Sequence, residues 1–274
     1  MKKVAIIGGT HGNEITGVEL IKKWKSNLPK KWNLELFFEF GNPTAIKNNT
    51  RYIDQDLNRS FLKLSKNENL NIEEMRAQEL REKLGEMDFI IDLHTTTSNM
   101  GPTIILTSNE DLSAKAAAFT YSQYPAIKLI KEILPEDKNH FLTSIAKDGL
   151  IIEVGPTPQG VVRADILDQM EQTLIYICDY LSNPSLIKEA NAPFFEVVSS
   201  IDYPRDKKGQ LNGVIHEDLQ DNDFKPLKSG SPLFKLYSGE VISYEGEELF
   251  PIFINEAAYY EKGVALVLTK IGPN

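Results

Sequence analysis

The chain contains one cysteine, no long apolar run and fewer basic than acidic side chains. Because Cys178 stands alone, no intrachain disulfide can form, and we expect this residue to be a small buried hydrophobe. No segment approaches the ~18 consecutive apolar residues of a membrane span. The apolar run that follows Met1 is also too short for a secretion signal. These absences predict a cytoplasmic protein that does not insert into membranes.

Positive charge is scarce as well, since 30 lysine and arginine residues face 39 aspartate and glutamate residues, for a net charge of -9. A nucleic-acid-binding surface needs clustered basic residues, so nucleic acid is not an expected partner. An anionic substrate would have to be bound by a few local cations rather than by the overall field. The 274 residues, 41% hydrophobic and 25% charged, are typical of a globular protein with one large domain or two unequal ones.

Hydrophobic patterning divides the chain into an α/β part and a smaller part of mostly β structure. In the first part, short apolar runs predict buried strands, and apolar residues at helical spacing predict the helices between them. The strands are expected at residues 4–7, 34–40, 89–93, 103–106 and 150–152. Residues 113–132 contain an expected alanine-rich helix, interrupted near Pro125. After Ser182, six short strand-like runs are separated by turn clusters, so we predict domains at 1–185 and 186–274.

Two histidines and a glutamate lie at the ends of predicted strands. His11 and Glu14 are three residues apart in a glycine-rich turn, where they can share a metal ion; a plain turn or a phosphate cradle is the alternative. His94 ends the third strand, where open α/β sheets place ligands. Together these three residues predict a catalytic zinc site with one position left for water. Asp92 is expected on the other face of its strand, with a hydrogen bond to a ligand histidine as the alternative.

Further polar residues suit hydrolysis at such a metal site. Glu153 ends a strongly apolar strand, where burial raises its pKa and suits it to accept a proton from metal-bound water; an ion pair with an arginine is the equal alternative. Arg51 and Arg59 lie in a polar loop and can bind a carboxylate or polarise a carbonyl. The alternative is a solvated loop in which these arginines pair with Asp54 and Asp56.

Taken together, these motifs resemble the aspartoacylase/succinylglutamate desuccinylase family, which is related to the zinc carboxypeptidases. The motifs are residues 8–14, 51–59, 92–101, 152–165 and 255–260. Similarity continues through residues 202–205 and 219–221, so it covers nearly the whole chain. The resemblance implies a zinc-carboxypeptidase-like mixed sheet flanked by helices. It also implies that the smaller, mostly β C-terminal domain narrows the mouth of the active site.

The resemblance assigns roles to the residues at the centre of the site. It implies one zinc ion per chain, bound by His11, Glu14 and His94. Glu153 is then the general base that activates zinc-bound water, and Arg51 polarises the amide carbonyl together with zinc. The implied reaction is hydrolysis of N-acetyl-L-aspartate to acetate and L-aspartate.

The resemblance also assigns contacts to the substrate. Asn58 and Arg59 match the pair that binds the α-carboxylate, and Tyr259 matches a substrate contact from the C-terminal domain. From the residues alone, Tyr259 is better explained by packing at the rim. The implied partner is a small N-acyl amino acid, and the implied assembly is a homodimer or a higher homo-oligomer.

Two positions depart from the family. Thr143 stands where the family has an arginine that contacts the side-chain carboxylate of the substrate, and Asn139 stands where it has a tyrosine. Either Lys138, Lys147 or Arg163 replaces the missing cation, or the preferred amino acid differs. The alternatives are therefore a deacylase of other side-chain specificity, a zinc carboxypeptidase acting on short peptides, and a binding protein without catalysis.

Overall fold

The computed structural model describes residues 1–62, 69–186 and 192–272. Five α-helices occur in these ranges: α1 (Ile15–Ser26), α2 (Pro43–Asn48), α3 (Ile72–Leu84), α4 (Asp111–Gln123) and α5 (Ala164–Ser182). The strands of the first part are β1 (Lys2–Gly8), β2 (Leu34–Phe40), β3 (Phe89–Thr95), β4 (Gly101–Leu106), β5 (Lys128–Lys131) and β6 (Gly149–Gly155). The strands that follow are β7 (Phe195–Ile201), β8 (Gly213–Ile215), β9 (Pro232–Leu236), β10 (Val241–Ser243), β11 (Phe250–Ile252) and β12 (Leu266–Ile271).

Nine of these strands form one mixed sheet in the order β11-β12-β7-β5-β4-β6-β3-β1-β2. Strands β2, β1, β3 and β6 are parallel, whereas β4 runs antiparallel to β6. The predicted mixed α/β sheet flanked by helices, with a smaller β-rich part after it, is confirmed. Strands from both sides of residue 185 share the sheet, because β7 pairs with β5 and carries β12 and β11 at the edge.

Both faces of the central strands are buried, which explains their continuous apolar runs. On one face, Val4 and Ile6 pack with residues of α1, α4 and α5, and this cluster includes Cys178, which is buried as expected. On the other face, Ala5 and Ile7 pack with residues of α3. Side chains alternate between the two faces along a strand, so this second face also receives the polar residues described below.

The C-terminal part has its own apolar cluster, around a three-stranded sheet of order β10-β9-β8. All six strands expected there are present. One expectation for the first part is wrong: within 113–132 the helix ends at Gln123, and the residues after Pro125 form β5 rather than more helix. Proline is poorly tolerated inside a helix. Among the described residues, no helix has both the length and the apolar character needed to cross a bilayer.

Candidate active site

Three parallel strands end at the same edge of the sheet and bring the polar motifs together there. His11 and Glu14 follow β1, His94 lies near the end of β3, and Glu153 lies in β6 directly opposite His94 in the strand register. Because β1, β3 and β6 are parallel neighbours, their carboxyl ends meet at one edge, where α/β sheets bind ligands.

His11, Glu14 and His94 form a buried cluster whose ligand atoms lie within 4.8 Å of one another. The two Nδ1 atoms of the histidines are 3.1 Å apart, and the Glu14 carboxylate oxygens lie 2.8 Å and 2.9 Å from them. Zinc–ligand bonds of ~2.0–2.1 Å in tetrahedral geometry would separate ligand atoms by roughly 3.3 Å, so this donor set has the dimensions of a metal site.

Each of the two histidines is oriented by a second carboxylate at its other ring nitrogen. His11 Nε2 lies 2.9 Å from Asp56 Oδ1, and His94 Nε2 lies 2.8 Å from Asp92 Oδ2. Both Nδ1 atoms are thereby left for a metal, which is the usual arrangement around ligand histidines. The expectation that Asp92 faces away from His94 is wrong, because side chains two residues apart in a strand share a face.

The charges around the cluster also favour a bound cation. Burial opposes ionisation of Glu14, but the neighbouring histidines His11 and His94 hold its pKa well below its usual value. Burial opposes protonation of His94, yet Asp92 and Glu14 raise its pKa well above the usual histidine value. A positive charge is therefore favoured between these groups, and a divalent metal ion supplies one.

The turn that carries His11 and Glu14 is held close to α2. A Cβ atom on Gly12 would lie 2.1 Å from the backbone carbon of Ala45, so only glycine fits at this position. The Gly12 N–H donates to the carbonyl oxygen of Arg51 at 3.1 Å. The turn that carries His11 and Glu14 and the loop that carries Arg51 are thus fixed to each other through the backbone.

The loop that carries Arg51 contacts the cluster directly. Arg51 donates to Glu14 Oε1 at 2.9 Å and to Asp56 Oδ2 at 3.3 Å, and its buried Nε has no partner among the described residues. Asp56 also accepts from Lys262 Nζ at 2.8 Å. The pairing of Asp56 with Arg51 that the sequence left open is therefore present, but Asp56 binds a candidate ligand histidine as well.

Glu153 lines the same pocket as the candidate metal ligands. Its carboxylate accepts no hydrogen bond from any residue in the described ranges of the chain. Burial raises the pKa of Glu153 well above its usual value, and the charge of Glu14 raises it further. A carboxyl group of this kind is suited to accept a proton near neutral pH.

The residues expected to bind substrate also line this pocket. Arg59 lies at the pocket surface, where its guanidinium is 5.8 Å from the centre of the Phe141 ring. Tyr259 packs against Phe253, with ring centres 5.3 Å apart. The carboxamide of Asn58 is already engaged, since its oxygen accepts from the Leu142 N–H at 2.9 Å.

Glu256 joins the C-terminal part of the chain to the site and was not singled out as a functional residue from the sequence. This buried carboxylate accepts from the side chain of Thr96 and from the backbone N–H of Thr97, which lie two and three residues after His94. It also accepts from the Ala258 N–H, next to Tyr259. Glu256 could have been identified from the sequence by its position in the same motif as Tyr259, three residues away.

The three cations considered as replacements for the missing arginine lie outside the pocket. Lys138 is exposed, Lys147 pairs with Asp88 at 2.5 Å, and Arg163 pairs with Asp165 at 2.7 Å. Thr143 is buried and its hydroxyl lies 2.7 Å from that of Thr107, so it is engaged within the core. Asn139 Nδ2 donates to the Thr107 carbonyl oxygen at 3.4 Å. The pocket thus has Arg51 and Arg59 as its only arginine or lysine residues among those described.

Comparison with known proteins gives consistent matches over the whole chain. Residues 1–181 match the family model of the succinylglutamate desuccinylase/aspartoacylase catalytic domain, and residues 190–271 match that of the AstE/AspA barrel-sandwich hybrid domain. A probable aspartoacylase from Nostoc sp. is 42% identical, covering 98% of this chain and 96% of the relative. A Homo sapiens protein, N-acyl-aromatic-L-amino acid amidohydrolase (carboxylate-forming), is 40% identical, covering 98% and 91%. The crystal structure of murine aminoacylase 3 superposes with a TM-score of 0.92 at 36% identity, covering 99% of this chain and 95% of that one.

Proposed function

This chain belongs to the succinylglutamate desuccinylase/aspartoacylase family, and we propose that it is a zinc-dependent hydrolase that cleaves the amide bond of N-acyl amino acids. The observation that carries the proposal is the His11–Glu14–His94 cluster with Glu153 in the same pocket. The first three residues would hold the zinc ion. When bound, zinc would supply Lewis-acid polarisation of the acyl carbonyl and lower the pKa of water in the site.

Glu153 would move the proton during the reaction. Its raised pKa suits it to accept a proton from the attacking water and to deliver it to the leaving amine. The water oxygen forms a bond to the acyl carbon, the carbon–nitrogen bond breaks, and the products are a carboxylate and a free amino acid. No oxidant or other co-reactant is needed.

The arginines and the tyrosine would bind and orient the substrate. Arg51 lies beside the candidate metal ligands, so its guanidinium can stabilise negative charge that develops on the acyl oxygen. Arg59, at the pocket surface, suits the α-carboxylate, because a guanidinium can bind a carboxylate through two hydrogen bonds. Asn58 would line the pocket beside Arg59, and Tyr259 would contribute a wall of the pocket from the C-terminal part of the chain.

For the substrate side chain we propose an uncharged group. The pocket lining beyond the charged centre is largely apolar and includes Ile105, Phe141, Ile151 and Phe253. The name of the human relative, an amidohydrolase for N-acyl-aromatic amino acids, agrees with such a lining. N-acetyl-L-aspartate is the second candidate, favoured by the name of the relative from Nostoc sp., a probable aspartoacylase.

A carboxypeptidase acting on peptides is less well supported. The C-terminal part contributes four pocket residues: Phe253, Glu256, Ala258 and Tyr259. These residues border the space that a longer peptide substrate would need. The partner that we propose is accordingly one small molecule. The cytoplasmic location and the homo-oligomer also remain proposals.

The test is turnover of the zinc-loaded protein with N-acetyl-L-leucine, N-acetyl-L-phenylalanine and N-acetyl-L-aspartate, measured as release of free amine. Substituting Glu153→Gln removes the proton acceptor but keeps the shape, and we expect turnover to fall about 10²–10⁴-fold with zinc still bound. If the Glu153→Gln protein binds zinc and keeps full turnover, the assignment of the base is wrong. If the wild-type protein cleaves dipeptides but none of the acetylated amino acids, the carboxypeptidase is the better proposal.

A further inference from the structure

The pocket contains an acidic residue, Glu132, to which the proposed reaction gives no role. Glu132 directly follows β5, and its N–H donates to the Leu106 carbonyl oxygen at 2.9 Å, which continues the strand pairing by one residue. The backbone of Glu132 is therefore fixed by the strand pairing, and this determines where its side chain begins.

The strand register places Glu132 and Glu153 at opposite ends of the pocket. Ile105 in β4 lies opposite both Ile130 and Ile151, so these three side chains share one face of the sheet. Glu132 is two residues beyond Ile130, and Glu153 is two residues beyond Ile151 on a strand that runs the other way. At ~3.3 Å per residue, the two acids are separated by about 13 Å along the strand direction. A substrate side chain can occupy the space between them.

The surroundings of Glu132 assign this end of the pocket to the amino-acid half of the substrate. Burial raises the pKa of the Glu132 carboxyl, and the positive charge of Arg59 lowers it, so Arg59 lies within electrostatic range. Arg59 is the proposed partner of the α-carboxylate. The Glu132 carboxylate accepts no hydrogen bond from any side chain in the part of the chain that the structure describes, and its pocket neighbours Ile105, Phe141 and Ile151 are apolar.

We infer that Glu132 determines the side-chain specificity of this pocket, by excluding anionic side chains and accepting a hydrogen bond from uncharged side chains that carry a donor, such as a carboxamide. The inference rests on the proposed function and names the substrate class for it. A substrate carboxylate next to the half-buried carboxylate of Glu132 is strongly unfavourable, because like charges in a poorly solvated site repel. A carboxamide of the same shape instead supplies an N–H to an acceptor that otherwise has none.

The test uses substrate pairs that differ in charge but hardly in shape. We would measure kcat/KM of the zinc-loaded protein for N-acetyl-L-glutamine against N-acetyl-L-glutamate, and for N-acetyl-L-asparagine against N-acetyl-L-aspartate. The wild-type protein is expected to prefer the uncharged member of each pair by about tenfold or more. In Glu132→Gln this preference should fall to within about threefold, and in Glu132→Lys it should reverse, since a cation then faces the side chain.

Glu240→Gln is the matched control, because Glu240 is an exposed glutamate that does not line the pocket. The substrate preference of this variant should equal that of the wild type. Thermal melting of each variant confirms that it is folded. A wild-type preference for the acidic substrates, or a preference unchanged in both Glu132 variants, would overturn the inference. Failure of the wild-type protein to cleave any of the four substrates or N-acetyl-L-leucine would instead count against the proposed function itself.

Discussion

At the scale of single residues, the carboxylates behind the candidate metal ligands are expected to control metal affinity. Asp92 Oδ2 lies 2.8 Å from His94 Nε2 and fixes that ring with Nδ1 toward the cluster. Loss of such a partner typically lowers metal affinity about 10–100-fold. We therefore predict that Asp92→Asn weakens zinc binding by about that factor while all three ligands are retained. Competition with a fluorescent chelator measures it; an affinity within about twofold of wild type would show that Asp92 is not needed to orient His94.

A second residue, Asp223, should make stability depend on pH. Asp223 Oδ1 accepts from the Ile254 N–H at 3.1 Å, while its buried Oδ2 has no partner among the described residues. Burial raises its pKa from 3.8 to about 6. The folded protein therefore retains this proton to higher pH than the unfolded chain does, and the free energy of unfolding falls as pH rises from about 4 to about 6.

We predict that Asp223→Asn is more stable relative to wild type at about pH 8 than at about pH 4, by up to roughly 3 kcal/mol. The asparagine keeps an oxygen for the Ile254 N–H and cannot ionise. Urea unfolding at both pH values gives the difference, with Glu240→Gln as an exposed control. An equal effect of Asp223→Asn at both pH values would contradict the assignment.

The site residues that could be predicted from the sequence share one property, their position at the end of a strand. His11, Glu14, His94 and Glu153 each follow or end an apolar strand, so their positions at one edge follow from the strand order. Asp56, Glu132 and Glu256 were not assigned a role in the site in this way. Their contacts join segments that are far apart in the chain, such as Asp56 with Lys262, and neither periodicity nor local spacing encodes such a pairing.

At the scale of elements, the first turn of α3 supports the loop that carries Arg51. Glu73 is fully buried and accepts from the backbone N–H groups of Ile53, Asp54 and Gln55 at 2.7, 3.0 and 3.3 Å. Three loop donors thus depend on one carboxylate. The helix and the loop should therefore behave as one unit.

We predict that Glu73→Ala lowers the free energy of unfolding by about 1–3 kcal/mol, because three partly buried N–H groups lose their acceptor. It should also lower kcat/KM, since the loop also carries Asp56 and Arg59. Glu73→Gln keeps one acceptor oxygen and should lie between Glu73→Ala and wild type in both measurements. If Glu73→Ala unfolds at the wild-type urea concentration, the loop does not depend on this helix.

Elements with a continuous apolar run were predicted within a few residues, whereas two short ones were missed. Strand β5 has only four residues, Lys128–Lys131, with a lysine at each end, so its pattern is weaker than that of the alanine-rich helix before it. Helix α2 has six residues and is set by the Asn42 side chain, which accepts from the Ala45 N–H, rather than by an apolar stripe. Weakness of the apolar pattern rather than shortness explains both omissions, because strands β8, β10 and β11 are shorter and were expected.

At the scale of the whole molecule, two of the connections between the two parts of the chain border the pocket. Strand β7 pairs with β5 next to the pocket, in the register Ile130 with Phe195 and Lys131 with Glu196. Glu256 bonds to the residues after His94 on the far side of the same pocket. The pocket therefore lies between these two connections. A destabilising substitution in the C-terminal part should accordingly lower the stability of the first part as well.

This coupling predicts that the chain unfolds in one cooperative transition. Both tryptophans, Trp24 and Trp32, lie in the first part, so their fluorescence reports on that part alone. Phe234 is buried in the C-terminal cluster, and Phe234→Ala should cost about 3–5 kcal/mol. We expect the midpoint seen by tryptophan fluorescence to fall as far as the midpoint seen by far-ultraviolet circular dichroism, as it should for Phe89→Ala in the first part. A tryptophan transition that stays at the wild-type midpoint in Phe234→Ala would mean that residues 1–185 fold independently of the rest, and that Tyr259 and Glu256 are attached to an already formed catalytic domain.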